Sequence, residues 1–226
     1  MSFSAYNNAK VNDVVEELVM FYLPEGGLVF DPTCGIKNRQ FKWIQNSRLD
    51  GVKYDYLPGD IQKTNLQEVQ ASVTHIPLKY RSVDLTLYDP PFLPRACSEN
   101  MRGADYGIEK ERTPEEVKAF YSKEIYEELK RITRKWIIIK GTDFYWPSTS
   151  MNLHLFQEFA IKPALEAGLK VRSIYINRYH HGNIGLYRSR MKNYRRPIII
   201  YTYYIVFSHE CCYVWASIGT DELRPL

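Results

Sequence analysis

Four consecutive residues, Asp89-Pro90-Pro91-Phe92, carry the most specific chemistry in the chain. Two prolines in a row supply no N–H donor and hold the backbone extended. The Asp89 carboxylate and the Pro90 carbonyl can then both face one ligand group. An exocyclic amine with two N–H bonds suits that pair of acceptors. Phe92 adds a flat face on which a base can stack, worth about 1–3 kcal/mol. Taken alone, the tetrapeptide is equally a strand terminator. Two further segments sharpen it: Asp31-Pro32-Thr33-Cys34-Gly35, and an acid at Asp55 closing an apolar run. Cys34, Cys97, Cys211 and Cys212 show neither CxxC pairing nor Cys/His spacing suited to zinc, so no metal site is expected.

These residues need elements to position them. Asn12 can cap a helix through Tyr22, with Val14, Val15, Leu18, Val19 and Tyr22 on one face. Residues 27–31, 51–55 and 83–89 read as three short apolar strands, each ending in Asp. Such strands suggest a parallel sheet whose carboxyl edge, where open α/β sheets bind ligands, is polar. Thr113-Pro114-Glu115-Glu116 supplies an N-cap, a first-turn proline and a capping-box glutamate for a helix continuing to Ile132. Residues 136–140 form an apolar strand, and Lys140-Gly141-Thr142-Asp143 reads as a turn near the pocket rim. A helix over 152–167 should be kinked or split by Pro163. Two β-rich segments, 170–179 and 197–207, close the chain. The alternation predicts an α/β sandwich of three layers.

At this point the sequence resembles the amino-methyltransferases that use S-adenosylmethionine. Their pattern is DP-x-C/A-G after strand one, an acid after strand two, and an LPF-x-x-x-S-F-D segment leading into DPPY or DPPF. Here Ile76-Pro77-Leu78-Lys79-Tyr80-Arg81-Ser82-Val83-Asp84 stands in the place of that last segment. The motif order is similar to the unpermuted N6-adenine methyltransferases. The resemblance implies a Rossmann-like sandwich with a mostly parallel seven-stranded sheet and an antiparallel last strand, as one domain over 1–226. It implies that Asp31, Pro32, Thr33, Cys34 and Gly35 cradle the methionine part of S-adenosylmethionine. Asp55 would hold the ribose hydroxyls, with Asp60 as the alternative, and Asp89, Pro90, Pro91 and Phe92 would be catalytic. Two positions depart from the family: Lys37 replaces its second glycine, and Ser72 stands where an Asp accepts from the cofactor's adenine amine.

The chain has 226 residues and a net charge of +4, which as a total says little. Its distribution says more. Residues 167–209 hold eight Lys or Arg and no acid, so the remaining 183 residues sum to −4. Arg188, Arg190, Lys192, Arg195 and Arg196 are interleaved with Tyr187 and Tyr194, a composition suited to phosphate contacts and stacking. His180 and His181 precede them, and residues 93–112, with Gly103 and Gly107, read as a lid or a surface loop. The expected partner is nucleic acid, DNA favoured over RNA, with target choice short or shared with a second protomer or a partner subunit. An RNA methyltransferase acting on adenine N6 or guanine N2, and a silent nucleic-acid-binding subunit, remain open alternatives. No apolar run approaches the ~20 residues of a membrane helix, and no secretory pattern opens the chain. A cytoplasmic protein is expected.

Overall fold

The computed structural model describes residues 2–7, 10–35, 44, 48–49, 51–63, 67–91, 112–145, 153–179 and 200–209. In chain order the strands and helices are β1 (Ser2–Asn7), α1 (Val11–Tyr22), β2 (Gly27–Asp31), β3 (Arg48–Leu49), β4 (Val52–Asp60), β5 (Val69–Gln70) and β6 (Val83–Tyr88). Then come α2 (Pro114–Ala119), α3 (Lys123–Ile132), β7 (Thr133–Thr142), β8 (Phe144–Tyr145), β9 (Leu153–His154), α4 (Phe156–Glu166), β10 (Lys170–Tyr179) and β11 (Ile200–Ser208).

The central sheet contains the order β5-β4-β2-β6-β7-β11-β10. Its strands are parallel except β11, which runs antiparallel to both β7 and β10. This is the seven-stranded, mostly parallel sheet with an antiparallel last strand that the sequence predicts. Two additions flank it. β3 pairs antiparallel with β4, and β1 joins β10 in parallel. β1 was not anticipated, although Ser2-Phe3-Ser4-Ala5-Tyr6 alternates with the period of a strand.

Alternate residues of each strand serve opposite layers. Val29, Leu85, Ile138, Tyr204 and Val206 pack with Val14, Val15, Leu18 and Val19 of α1. Phe30, Ile137, Ile139, Ile205 and Phe207 pack instead with Ile125, Leu129 and Ile132 of α3 and with Phe156, Ala160 and Ala164 of α4. Apolar burial on both faces explains why these strands read as continuous hydrophobic runs.

The helices differ from expectation at three points. α1 starts two residues earlier, with Lys10 at its N-cap, so Asn12 is inside the helix rather than capping it. The Thr113 capping box forms as predicted, with Thr113 N–H donating to Glu116 at 2.7 Å and Glu116 N–H to the Thr113 hydroxyl at 3.2 Å. The helix it starts nevertheless breaks after Ala119, and extended Ser122 restarts it as α3. The break turns fully buried Tyr121 inward against Tyr88, Phe156 and Phe159. Third, α4 runs through Pro163 to Glu166 without splitting. Among the described residues, no helix is long and apolar enough to cross a membrane.

Candidate functional site at the carboxyl edge of the sheet

Because β2, β4, β6 and β7 are parallel, their carboxyl ends lie along one edge. That edge gathers Asp31, Asp60, Asp89 and Lys140.

At the end of β2, Asp31 is only 2% exposed. Its carboxylate accepts from the Thr33 amide at 2.9 Å, the Thr33 hydroxyl at 3.1 Å and the Tyr56 hydroxyl at 2.8 Å. Burial dominates those three donors, with the nearby Asp89 charge adding to it, and lifts the Asp31 pKa to about 7. Pro32 and Cys34 are buried as well, and the Cys34 amide donates to the Gly59 carbonyl at 3.0 Å. Burial, with Asp31 and Asp60 close by, pushes the Cys34 thiol up to about 12, which removes it as a nucleophile. Gly35 takes the left-handed conformation, φ 68°, which glycine adopts without steric cost, and its amide donates to Asp60 at 2.9 Å.

The acid of the second strand needs correcting. Asp55 does not end that strand, because β4 continues through Pro58 and Gly59 to Asp60. Asp55 lies opposite Leu28 near the start of β2, with its side chain 63% exposed and 3.0 Å from Lys53. Asp60, the alternative named above, holds the edge position instead. One of its oxygens accepts from Gly35 and the other from the Gln62 amide at 2.9 Å. Ile61, next in sequence, is 65% exposed, an apolar surface beside a carboxylate that the sequence reading missed. Ser72 is brought near Asp60 by the Ala71 amide, which donates to the Asp60 carbonyl at 3.0 Å. The Ser72 hydroxyl is held in a local turn, 2.9 Å from the Thr74 hydroxyl.

Asp89 follows β6. Its amide donates to the Thr33 hydroxyl at 3.0 Å, which ties it to the β2 turn. Tyr88 pairs with Ile139 across β6 and β7, so Asp89 and Lys140 are the next residues on adjacent strands. Their side chains meet as an ion pair, Lys140 Nζ to Asp89 Oδ2 at 2.5 Å, with exposures of 12% and 13%. The sequence places Lys140 in a strand-end turn near the pocket rim, whereas β7 runs on to Thr142 and holds Lys140 within the strand. Pro90 is buried and Pro91 half-buried. The Pro91 carbonyl accepts from Arg112 Nη1 at 2.9 Å, and the Arg112 guanidinium lies 4.9 Å from the centre of the Phe120 ring. Partial burial there lowers the Arg112 pKa from its ordinary value. Asp143, near the rim, has a structural role: it accepts from the first amide of α4 (Phe156, 2.7 Å) and from the Tyr203 hydroxyl at 2.8 Å.

Several predicted residues fall outside the described ones: Phe92, Lys37, residues 93–111, His180 and His181, and the basic set Arg188, Arg190, Lys192, Arg195 and Arg196. Topology still places the anchors of the basic segment. Tyr179 ends β10 and Ile200 begins β11, paired with each other at the same edge of the sheet as Thr142 of β7.

No protein-family model matches the sequence. No curated protein matches it either. Solved structures do match in fold. The 1,6-didemethyltoxoflavin-N1-methyltransferase of Burkholderia thailandensis, with 1,6-didemethyltoxoflavin and S-adenosylhomocysteine bound, superposes with a TM-score of 0.50 at 11% identity, covering 88% of this chain and 78% of that one. A methyltransferase dependent on S-adenosylmethionine from Aquifex aeolicus is 15% identical, covers 87% of this chain and 89% of that one, and has a TM-score of 0.45.

Proposed function

Starting from a chain with the fold of the S-adenosylmethionine-dependent methyltransferases, we propose that it transfers a methyl group to the exocyclic amine of a nucleic-acid base, adenine N6 in DNA. The observation that carries the reading is the meeting of three motifs at one sheet edge: the Asp31 turn, Asp60, and Asp89-Pro90-Pro91.

The residues present fit the cofactor. A carboxylate offers about four acceptor positions, and the Gly35 and Gln62 amides use two at Asp60, so ribose hydroxyls find acceptors there. Exposed Ile61 beside it supplies an apolar face for a purine. The turn from Asp31 to Gly35 is fixed to both neighbouring strands, by Thr33 to Asp89 and by Cys34 to Gly59. Asp55 takes no part in this reading. When bound, S-adenosylmethionine supplies an electrophilic methyl group on a sulfonium.

The chain's own residues then prepare the amine. The lone pair of a base amine is delocalised into the ring, so the amine is a poor nucleophile. Asp89 and the Pro90 carbonyl accept from its two N–H groups and favour a localised lone pair. Positive charge grows on nitrogen as the new bond forms, so both acceptors bind the transition state more tightly than the ground state. Holding the amine in line supplies the rest of the acceleration. No strong general base is required: the methyl's bond to sulfur would break as its bond to nitrogen forms, and the methylated, cationic amine would then release one N–H proton by way of Asp89 to water. A duplex base must be flipped out first, at a cost of a few kcal/mol, which favours single-stranded or weakly paired targets. The basic segment containing Arg188 and Arg196, anchored at this edge, would bind phosphates. A second protomer or a partner subunit would extend target choice.

The test incubates the protein with methyl-labelled S-adenosylmethionine and DNA, RNA or free heterocycles, and identifies the labelled product by mass spectrometry after digestion to nucleosides. N6-methyldeoxyadenosine is expected, and Asp89→Ala should abolish it while cofactor binding by calorimetry persists. Full activity of Asp89→Ala, or label appearing only in free heterocycles, would overturn the reading.

A further inference from the structure

We infer that Tyr80 and Arg81, at the sheet edge opposite the proposed methyl-transfer site, form a second nucleic-acid contact: one base of a single strand stacks on Tyr80 and its phosphate pairs with Arg81. The inference goes beyond the reading above and does not rest on it. Arg81 lies just before β6 and Asp89 just after it. The six residues of β6 separate them by about 20 Å.

Arg81 is held in an unfavourable state. Among the described residues it is the one non-glycine residue with positive φ, 49°, in the left-handed region where a Cβ crowds the following carbonyl. The backbone is fastened there, its amide donating to the Arg131 carbonyl at 2.9 Å and its carbonyl accepting from Arg134 Nε at 3.3 Å. Arg81 Nε is buried without a hydrogen-bond partner, as is the adjacent Ser82 hydroxyl. Backbone strain and an unpaired buried donor both destabilise the fold, and a glycine at this position would carry neither. What arginine adds is its guanidinium. Arg112, Arg131, Arg134 and Arg172 each donate to a carbonyl, carboxylate or hydroxyl of the chain. Among the described residues, the Arg81 guanidinium donates to none, and it lies 5.3 Å from the centre of the Tyr80 ring.

The surroundings set the chemistry of the partner. Arg131, Arg134 and Lys135 have side chains 37%, 51% and 43% exposed, while their partners Glu128 and Asp84 are only 13% exposed. Bases therefore face outward and acids inward, and exposed Lys79 adds to the positive face. Buried His209 senses the same field: burial first, then the Arg81 and Lys130 charges, hold it below its ordinary pKa against its hydrogen bond to the Thr133 carbonyl. Such a face attracts anions. Tyr80, 66% exposed, narrows the choice. An exposed ring beside an unengaged guanidinium matches one nucleotide, a flat base joined to a phosphate. An acidic peptide would use the cations and leave the ring idle. A duplex keeps its base faces stacked on one another, so the fitting partner is a single strand.

The experiment irradiates the full chain, without cofactor, in the presence of a thymidine octamer carrying one 5-iododeoxyuridine, and maps the adducts by mass spectrometry. The natural chain should give adducts at Tyr80, and a stem-loop with the iodinated base in its stem should give few. Arg81→Gly should reduce the Tyr80 adducts about 10-fold, through loss of a charged hydrogen bond, and should raise the urea midpoint by relieving the strained backbone. A residue kept for packing would not couple weaker binding to a more stable fold. Arg81→Lys keeps both charge and strain, so it should retain part of the binding with no gain in stability. Arg81→Asn, which also tolerates left-handed backbone, replaces Arg81→Gly if glycine loosens the turn. Adducts confined to other segments, unchanged Tyr80 adducts in Arg81→Gly, or equal yields from octamer and stem would each overturn the inference. So would lower stability in both Arg81→Gly and Arg81→Asn. The methyl-transfer reading, tested by its labelled product, would stand in each of those cases.

Discussion

The Thr33 hydroxyl accepts the amide N–H of Asp89 at 3.0 Å, across 56 positions of sequence. The same hydroxyl donates to Asp31 at 3.1 Å, so one small side chain fastens the turn after β2 to the start of the Asp-Pro-Pro motif. In the proposed enzyme these are the cofactor turn and the amine-binding motif, and Thr33 sets their separation.

Thr33→Val removes both hydrogen bonds while conserving shape. The Asp89 amide then loses its acceptor in a half-buried place, so stability should fall by about 1–3 kcal/mol, read from urea denaturation. Methyl transfer should fall further than cofactor affinity, because the Asp89 backbone loses its anchor. Thr33→Ser keeps the hydroxyl and should restore most of both.

Asp60 and Asp55 should behave oppositely. Asp60→Ala withdraws the acceptor of the Gly35 and Gln62 amides and the proposed ribose ligand. Affinity for S-adenosylmethionine should drop about 10- to 100-fold, measured by calorimetry. Asp55→Ala breaks only a surface pair with Lys53, and such pairs are worth about 0–1 kcal/mol. Cofactor affinity should stay unchanged. A large effect at Asp55 with none at Asp60 would reverse the assignment.

That contrast shows what a linear reading reaches. The sheet was legible because each central strand is an apolar run, and the α2 start because its capping box is written in four residues. The end of β4 was hidden because Pro58 and Gly59 are turn residues that usually close a strand. Here Pro58 still offers its carbonyl, which accepts the Glu68 amide at 2.9 Å, and the strand continues past it. The break at Tyr121 follows from tertiary packing, which overrides helix periodicity. Lys140 was visible as a residue but not as a partner. Only the register of β6 against β7 sets it beside Asp89.

Gly141 tests how tightly that register is held. A Cβ at this position would come within 2.2 Å of Cε2 of buried Phe156, so β7 and α4 meet there without room for a methyl group. Gly141→Ala should cost about 1–3 kcal/mol from overpacking, and the shift should disturb neighbouring Lys140, lowering transfer. Combining it with Phe156→Leu should recover part of the loss. Additive costs in the double variant would show that the two residues are not coupled.

Asp31 gives a pH test with a definite sign. Its pKa in the folded chain is raised to about 7 from an ordinary value of 3.8, chiefly by burial. Between those values the folded state holds a proton that the unfolded state has released, so stability declines as pH rises across that window. Asp31's contribution is fully present below about pH 4 and is lost as pH passes through about 7. Asp31→Asn cannot ionise, and its amide oxygen can still accept from Thr33. Relative to the natural chain, the variant should therefore gain stability from about pH 4 to about pH 7 and keep a constant difference above. Urea midpoints of both chains at matched pH values provide the measurement. A difference that stays flat across the window would mean that Asp31 ionises in the fold as it does in the open chain, and that the Thr33 and Tyr56 donors balance its burial.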